Sequence, residues 1–316
     1  MEHLRHDDPA RTGPYVLLAA LDARDGGRPV PDRRYLARRA DGDGTVLLCL
    51  PRPGADAARW SAEAQGAYRL SSVPGFLPVH ESGHDPSGGP WYAAPYTPAL
   101  PLPAALAAHG GPLPVAFVLA LGVALARSLA AAHARGAAHA GLCPATVLIT
   151  SDGPRTTGFG AVRVAGPGAA ADSGLEPASI APEQLTGGLP RPLGDVYALG
   201  TVLAYASTGH TVPESAELPL PLRTAVSGCL ARDPAARPDA ARLAAELAGA
   251  GEATRGGAGA TVLDGAFPVP LPARVAAELV RQSAELLAAE LPAPEIPVPG
   301  AFVPAGGPTA ATTDRG

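Results

Sequence analysis

Two of the twenty common amino acids never occur in this 316-residue chain: lysine and asparagine. All 24 of its Lys-or-Arg positions are arginine, so whatever the chain does, it does without a lysine ε-ammonium group. Aromatic residues are scarce at 4%, while hydrophobic residues reach 47%, so the core must be built from Ala, Leu and Val. Excess positive charge is also missing. The net charge is −5, and no basic patch with interleaved aromatics occurs, which argues against nucleic acid as a partner. Cysteine is limited to Cys49, Cys143 and Cys229, with no C-x-x-C pair and no even set for a disulfide framework. The longest apolar run, Leu113 to Ala126, is stopped by Arg127, short of the roughly 20 residues that a membrane-spanning helix needs. The polar stretch Met1 to Tyr15 has no apolar segment before a cleavage site, so no signal peptide is expected. A cytoplasmic chain without membrane contact is the expectation.

What is present divides into two regions. Residues 1–12 are expected to be disordered. From residue 13 to 98 the pattern favours short strands at Tyr15–Leu21, Arg34–Arg38, Val46–Leu50, Leu77–His80 and Trp91–Pro95, with one helix, Ala57 to Leu70. From 99 to 248 it turns helical: Val115–His133, Leu193–Thr208, Pro221–Ala231 and Asp239–Ala248, with a Gly/Pro-rich turn region from Gly136 to Pro182. A small β-rich lobe followed by a larger helical lobe is an α+β, two-lobed architecture. Residues 249–270 read as linker and 292–316 as disordered tail. Between them, residues 271–291 form an amphipathic helix. Val275, Leu279, Leu286 and Leu287 lie near one stripe, with Glu278, Arg281, Gln282 and Glu285 on the other side. That helix docks either on the chain's own larger lobe or on a partner.

Five segments carry a family resemblance. His139-Ala140-Gly141-Leu142-Cys143-Pro144-Ala145-Thr146 precedes the apolar Val147-Leu148-Ile149. Gly158-Phe159-Gly160, Ala181-Pro182-Glu183, Asp195-Val196-Tyr197-Ala198-Leu199-Gly200 and Asp233-Pro234-Ala235-Ala236-Arg237-Pro238 follow in order. Over roughly residues 13 to 248 the chain resembles the bacterial Ser/Thr protein kinase family, whose motifs H-R-D-L-K-P-x-N, D-F-G and A-P-E take these places. The abundance of Ala, Gly, Pro and Arg is that of a GC-rich bacterial genome. The resemblance implies a two-lobed protein-kinase-like fold. It also implies structural roles for His139 and Phe159 between the lobes, for Asp195 as acceptor of catalytic-loop amides, and for Glu183 and Arg237 as an ion pair.

The same resemblance shows what is missing. Val46-Leu47-Leu48-Cys49 stands where V-A-I-K should be, so the phosphate-gripping lysine is Cys49, and Glu63 in the partner-glutamate position is left with no cation to pair with. Gly141 replaces the catalytic aspartate, Cys143 the loop lysine, Thr146 the metal-binding asparagine and Gly158 the magnesium-binding aspartate. Ala140 replaces the arginine that receives an activation-segment phosphate. Every positive or metal-holding element is then neutral. In the glycine-loop region, Asp22 to Asp32, a single Gly-Gly pair survives. Pro29 and Pro31 remove backbone donors, Asp22, Asp25 and Asp32 repel phosphate, and Arg24, Arg28 and Arg33 offset part of this. The short stretch Gly209–Leu218 leaves no room for the family's extra docking helix.

Two other patterns carry less. His80-Glu81-Ser82-Gly83-His84 matches the zinc signature H-E-x-x-H, but Pro78 and Gly83 place it at a strand end and hairpin, where the two histidines cannot share a helix face. Cys49 and Cys143 face one cleft as lysine replacements, and burial as small hydrophobes outweighs redox pairing. The expected function is therefore that of a pseudokinase: a scaffold or allosteric regulator that binds a protein, such as an active kinase or another enzyme, without catalytic residues, cofactor or metal. One alternative is a divergent, weakly active Ser/Thr kinase using ATP and magnesium held by Asp152 and Glu63. The other is a small-molecule sensor using the vacated cleft around Leu48, Cys49 and Gly158.

Overall fold

The computed structural model describes residues 3–21, 30–40, 42, 44–254 and 269–290. The first lobe grows from two-residue alternation. In β2 (Tyr15–Ala20) every second side chain is buried, and β3 (Asp32–Arg39) and β4 (Thr45–Pro51) extend the ladder. Together with β1 (Arg11–Thr12), β5 (Glu81–His84) and β6 (Pro90–Pro95) they form a six-stranded antiparallel sheet in the order β1-β2-β3-β4-β6-β5. β4 is buried on both faces. Leu47 and Cys49 look toward helix α1 (Ala57–Arg69), against Trp60 and Ala64, while Val46, Leu48 and Leu50 look toward Tyr15, Tyr35 and Trp91. Helix α1 starts at Asp56, whose carboxylate accepts from the Arg59 amide at 2.9 Å.

Two expectations about this lobe change. Residues 3–12, expected to be disordered, join the sheet: Arg11 and Thr12 pair with β2, Leu4 packs on its apolar cluster, and Tyr35 donates its hydroxyl proton to Asp8. The exposed edge of β2 offers unpaired backbone groups, and this segment takes them. The expected strand Leu77–His80 is extended but outside the ladder, which begins at Glu81. Its alternating apolar residues, Leu77 and Val79, are buried where the chain runs between the lobes, and Leu77 N–H donates to the Thr156 carbonyl at 3.2 Å.

The second lobe is helical around one small sheet, β7 (Leu100–Pro101), β8 (Val147–Thr150) and β9 (Gly153–Thr156). Helix α2 (Leu102–His109) ends at Gly110, whose φ of 91° lets the chain reverse. Helix α3 (Val115–His133) is the centre. It is the only helix among the described residues long and apolar enough to cross a membrane, and it is instead 61% buried inside the protein. Helices α4 (Ala161–Ala165), α5 (Pro182–Leu185), α6 (Pro192–Thr208), α7 (Leu220–Cys229) and α8 (Ala240–Thr254) complete the body, with α3, α6 and α8 packed together. No helix lies between Thr208 and Leu220. Helix α8 runs past residue 249, where the linker was expected to begin. The rest of that stretch to 268, and the expected tail 292–316, lie outside the described residues.

Helix α9 (Ala273–Glu290) is docked on the chain's own larger lobe. Val275 and Leu279 enter the main core, and Gln282, expected on the polar side, is buried with them, only 5% exposed. Leu286 is half-buried, and the Leu287 side chain lies outside the described residues.

Candidate functional site

The loop after α3 is shaped by one carboxylate. Asp195, near the start of the buried helix α6, accepts hydrogen bonds from the His139 amide at 2.7 Å, the Ala140 amide at 2.8 Å and the His133 ring at 2.8 Å. These bonds hold Ala140 at φ 53°, the only non-glycine left-handed residue among those described. The His139 ring is fully buried, between Phe76 at 5.3 Å and Phe159 at 5.7 Å, with neither ring nitrogen hydrogen-bonded. Burial pushes its pKa down to about 4. Farther along, the Arg237 guanidinium forks onto both Glu183 oxygens at 2.7 and 2.9 Å, donates to the carbonyls of Ala231, Leu193 and Arg232, and covers the Tyr197 ring. Although burial acts to raise it, the arginine holds the Glu183 carboxyl below the usual range.

At the centre, the two glycines of the motif positions touch. A Cβ at Gly141 would lie 1.7 Å from the Gly158 carbonyl oxygen, and one at Gly158 would lie 2.7 Å from Pro31 and 2.9 Å from the Thr146 methyl. Real Cβ atoms do not approach so closely, so neither position has room for any side chain in this conformation. Thr146 is buried, its hydroxyl accepting from the Cys143 amide at 2.8 Å and donating to the Gly141 carbonyl at 2.9 Å. Pro31 reaches this point from the strand-entry side, and Val30 packs beside Ala140, Cys143 and Val162. The chain itself thus fills the middle of the cleft.

The expectation that every cation is gone from the cleft is corrected. Arg34, on β3, is the cross-strand partner of Cys49 and therefore shares its face of the sheet. It is 3% exposed and donates to the Ala145 carbonyl, in the loop after α3, at 3.2 Å. Glu63, expected to lack a cation, holds one: Arg163 of α4 donates to both of its oxygens at 2.8 and 2.7 Å, and also to the Ala138 carbonyl at 3.0 Å. The Arg163 guanidinium lies 4.9 Å from the Phe159 ring centre. Sequence position alone hid both arginines, one on the neighbouring strand and one a turn beyond the Gly-Phe-Gly motif. A strand-register argument could have found Arg34, because Cys49 needs a neighbour across the ladder.

Other candidate residues separate. Asp32 is largely buried, accepting from Trp60 Nε1 at 2.7 Å and from the Tyr92 hydroxyl at 3.2 Å. Residues 22–29, with Asp22, Arg24, Asp25, Arg28 and Pro29, lie outside the described residues, while Arg33 donates to the Pro51 carbonyl. Leu48, Cys49 and Gly158 do not line one space, since Leu48 faces the far side of the sheet. An open volume of about 300 Å³ lies between Asp32, Arg52 and Trp60 on one lobe and Phe159, Val164 and Asp172 on the other. Asp152 sits exposed on the β8–β9 turn, where it accepts from Ser151, and Glu63 is occupied by Arg163, so the suggested magnesium pair is not assembled. No cluster of three or more His, Cys, Asp or Glu that could hold a metal occurs among the described residues. His84 belongs to β5 and His80 precedes it, so the two cannot share a helix face. Cys49 and Cys143 are in no disulfide and are buried in different apolar clusters, and burial raises the Cys143 thiol.

Comparisons with known proteins bear on the fold. No family model matches the chain. It is 34% identical over 272 residues to the probable serine/threonine-protein kinase PkwA of Thermomonospora curvata, which covers 78% of this chain and 35% of that one. It is 30% identical over 282 residues to the serine/threonine-protein kinase AfsK of Streptomyces coelicolor, covering 78% and 33%. The chain thus spans about a third of the length of these curated relatives. The crystal structure of the Mycobacterium tuberculosis PknI kinase domain superposes with a TM-score of 0.59 at 24% identity, over 76% of this chain and 97% of that one. By fold and by homology, the chain is a protein-kinase-like domain whose relatives are bacterial serine/threonine protein kinases.

Proposed function

We propose that this chain acts by binding rather than by phosphoryl transfer, as a pseudokinase serving as a scaffold or allosteric regulator of a protein partner in the cytoplasm. The observation that carries the reading is the contact between Gly141 and Gly158, which leaves no room for a carboxylate at either position. Phosphoryl transfer depends on positioning and charge neutralisation by metal-holding carboxylates and a free cation. Magnesium nucleotide does not suit the residues present. Thr146 spends its hydroxyl on the loop, Glu63 is bonded to Arg163, and Arg34 is turned to the Ala145 carbonyl. The bonds of Asp195, and those between Glu183 and Arg237, support a module whose fold is retained where the catalytic side chains are absent.

The second reading, a divergent and weakly active Ser/Thr kinase, is favoured by the relatives, which are named as Ser/Thr kinases. One experiment separates the two: the thermal shift of the purified chain with ATP, with and without magnesium, alongside phosphate transfer to a Ser/Thr peptide. The first reading expects no magnesium-dependent shift and no transfer. A magnesium-dependent shift accompanied by transfer would overturn it and establish the second.

A further inference from the structure

The two lobes are joined covalently by one short crossing, residues 96–99, between β6 and β7. Each end of that crossing is fastened through a backbone amide. Tyr96 N–H donates to the Thr45 carbonyl of β4 at 3.3 Å, on the small lobe. Ala99 N–H donates to the Gln282 side-chain oxygen at 2.8 Å, and Gln282 belongs to α9, 183 residues later. Pro98 between them has no N–H to offer. Ala99 also packs against the small-lobe cluster that holds Leu47, Cys49 and Tyr92. Gln282 is therefore buried at the pivot about which the lobes would open.

Helix α9 is seated there by packing. Val275 and Leu279, 1% and 6% exposed, are part of the core that includes Leu102, Ala105 and Leu106 of α2, the first helix after the crossing. Arg274 donates to the His109 carbonyl at the far end of α2. The outer face carries Arg281, bonded to both Glu278 and Glu285, beside the exposed Val280. A helix attached along α2 and bonded to Ala99 fixes the large-lobe end of the crossing.

We propose that α9 is a strap across the interlobe pivot, and that its docking through Val275, Leu279 and Gln282 keeps the cleft closed, with Pro31 against Gly158. This inference rests on the fold and is independent of whether the cleft transfers phosphate. Two states follow, docked and released. In the released state the Val275–Leu279 face becomes free, in the form of an amphipathic helix that a grooved protein accepts.

Hydrogen exchange on the full chain tests the strap, comparing the native sequence with Leu279→Glu, which undocks α9, and Gln282→Ala, which removes only the pivot bond. Amides of α3 and α6 serve as the internal control. In Leu279→Glu, with α9 amides exchanging freely, the amides of Ala99 and of Gly158 to Val162 should exchange roughly tenfold faster, while α3 and α6 keep their protection. In Gln282→Ala the same two regions should gain a smaller but parallel increase. Release of α9 with unchanged exchange at Gly158 to Val162 would overturn the proposal. If Leu279→Glu does not fold or does not release the helix, Gln282→Ala decides: faster exchange at both Ala99 and Gly158 to Val162 supports the strap, and protection retained at Gly158 to Val162 sinks it.

Discussion

A methyl group at position 141 would sit 1.7 Å from the Gly158 carbonyl oxygen, so the loop tolerates only hydrogen there. Gly141→Ala should cost about 2 kcal/mol through forced backbone displacement, read as a lower midpoint in urea. Arg237 lies at the other extreme, a charge buried with five hydrogen bonds to Glu183 and three carbonyls. Arg237→Ala leaves Glu183 without its counter-charge and three carbonyls without a donor, and should cost about 3 kcal/mol in the same measurement. His139 makes stability depend on pH. Its ring is buried and unbonded, with Asp195, Arg163 and His133 as its charged neighbours, and its pKa falls from 6.5 to about 4. Between those values the unfolded chain binds a proton that the folded chain refuses. Stability from this group is full above about pH 6.5 and falls as pH drops toward 4, by about 3 kcal/mol in total. Urea titrations between pH 7 and pH 4.5 should show a steeper loss in the native chain than in His139→Phe. Equal slopes would remove His139 from the account.

Helices α1 and α4 are coupled by one bidentate pair. Helix α4 spans only five residues, too few to persist by its own hydrogen bonds, and Arg163 ties it to Glu63 of α1 and to the Ala138 carbonyl. Arg163→Ala should release the segment after Phe159. Thermolysin cleavage between residues 160 and 180 should accelerate, with a global loss of about 1–2 kcal/mol. Unchanged cleavage would mean that packing of Ala161, Val162 and Val164 suffices. These elements also show where sequence reading works and where it stops. Helix α3 was legible from apolar spacing, and β4 from its short apolar run Val46–Leu50. Helix α4 was not, because five residues of Ala-Val-Arg-Val-Ala carry too little periodicity. Nor was the burial of Gln282 on α9, since an amide on a polar-looking face is read as solvated until its acceptor or donor across the chain is known.

On the scale of the molecule, the closed centre is a product of both lobes. Pro31 comes from the small lobe, Gly141, Thr146 and Gly158 from the large one, and they meet within van der Waals distance. Restoring the four family residues together, Cys49→Lys, Gly141→Asp, Thr146→Asn and Gly158→Asp, should therefore give no peptide phosphorylation and a lower melting temperature than the native chain. Recovery of transfer would show that the lobes open far enough to admit the restored side chains. In either case Cys49→Lys places its ammonium beside Arg34 on the same sheet face, adding like-charge repulsion to the crowding.

The order of motifs from His139 to Arg237, the alternation that makes the small lobe and the apolar spacing of the large one determine the two-lobed fold from the sequence alone. They do so because local periodicity and a few buried architectural residues specify which faces must be covered. The sequence likewise determined which chemical groups are absent, since no folding can supply a lysine or an asparagine that the chain lacks. Only the tertiary structure decided what stands in their place. Arg34 reaches the cleft by pairing across a strand, Arg163 reaches Glu63 across 100 residues, and Gln282 reaches Ala99 across 183. Each such contact depends on where two distant segments are brought together, which no single segment's composition or period records.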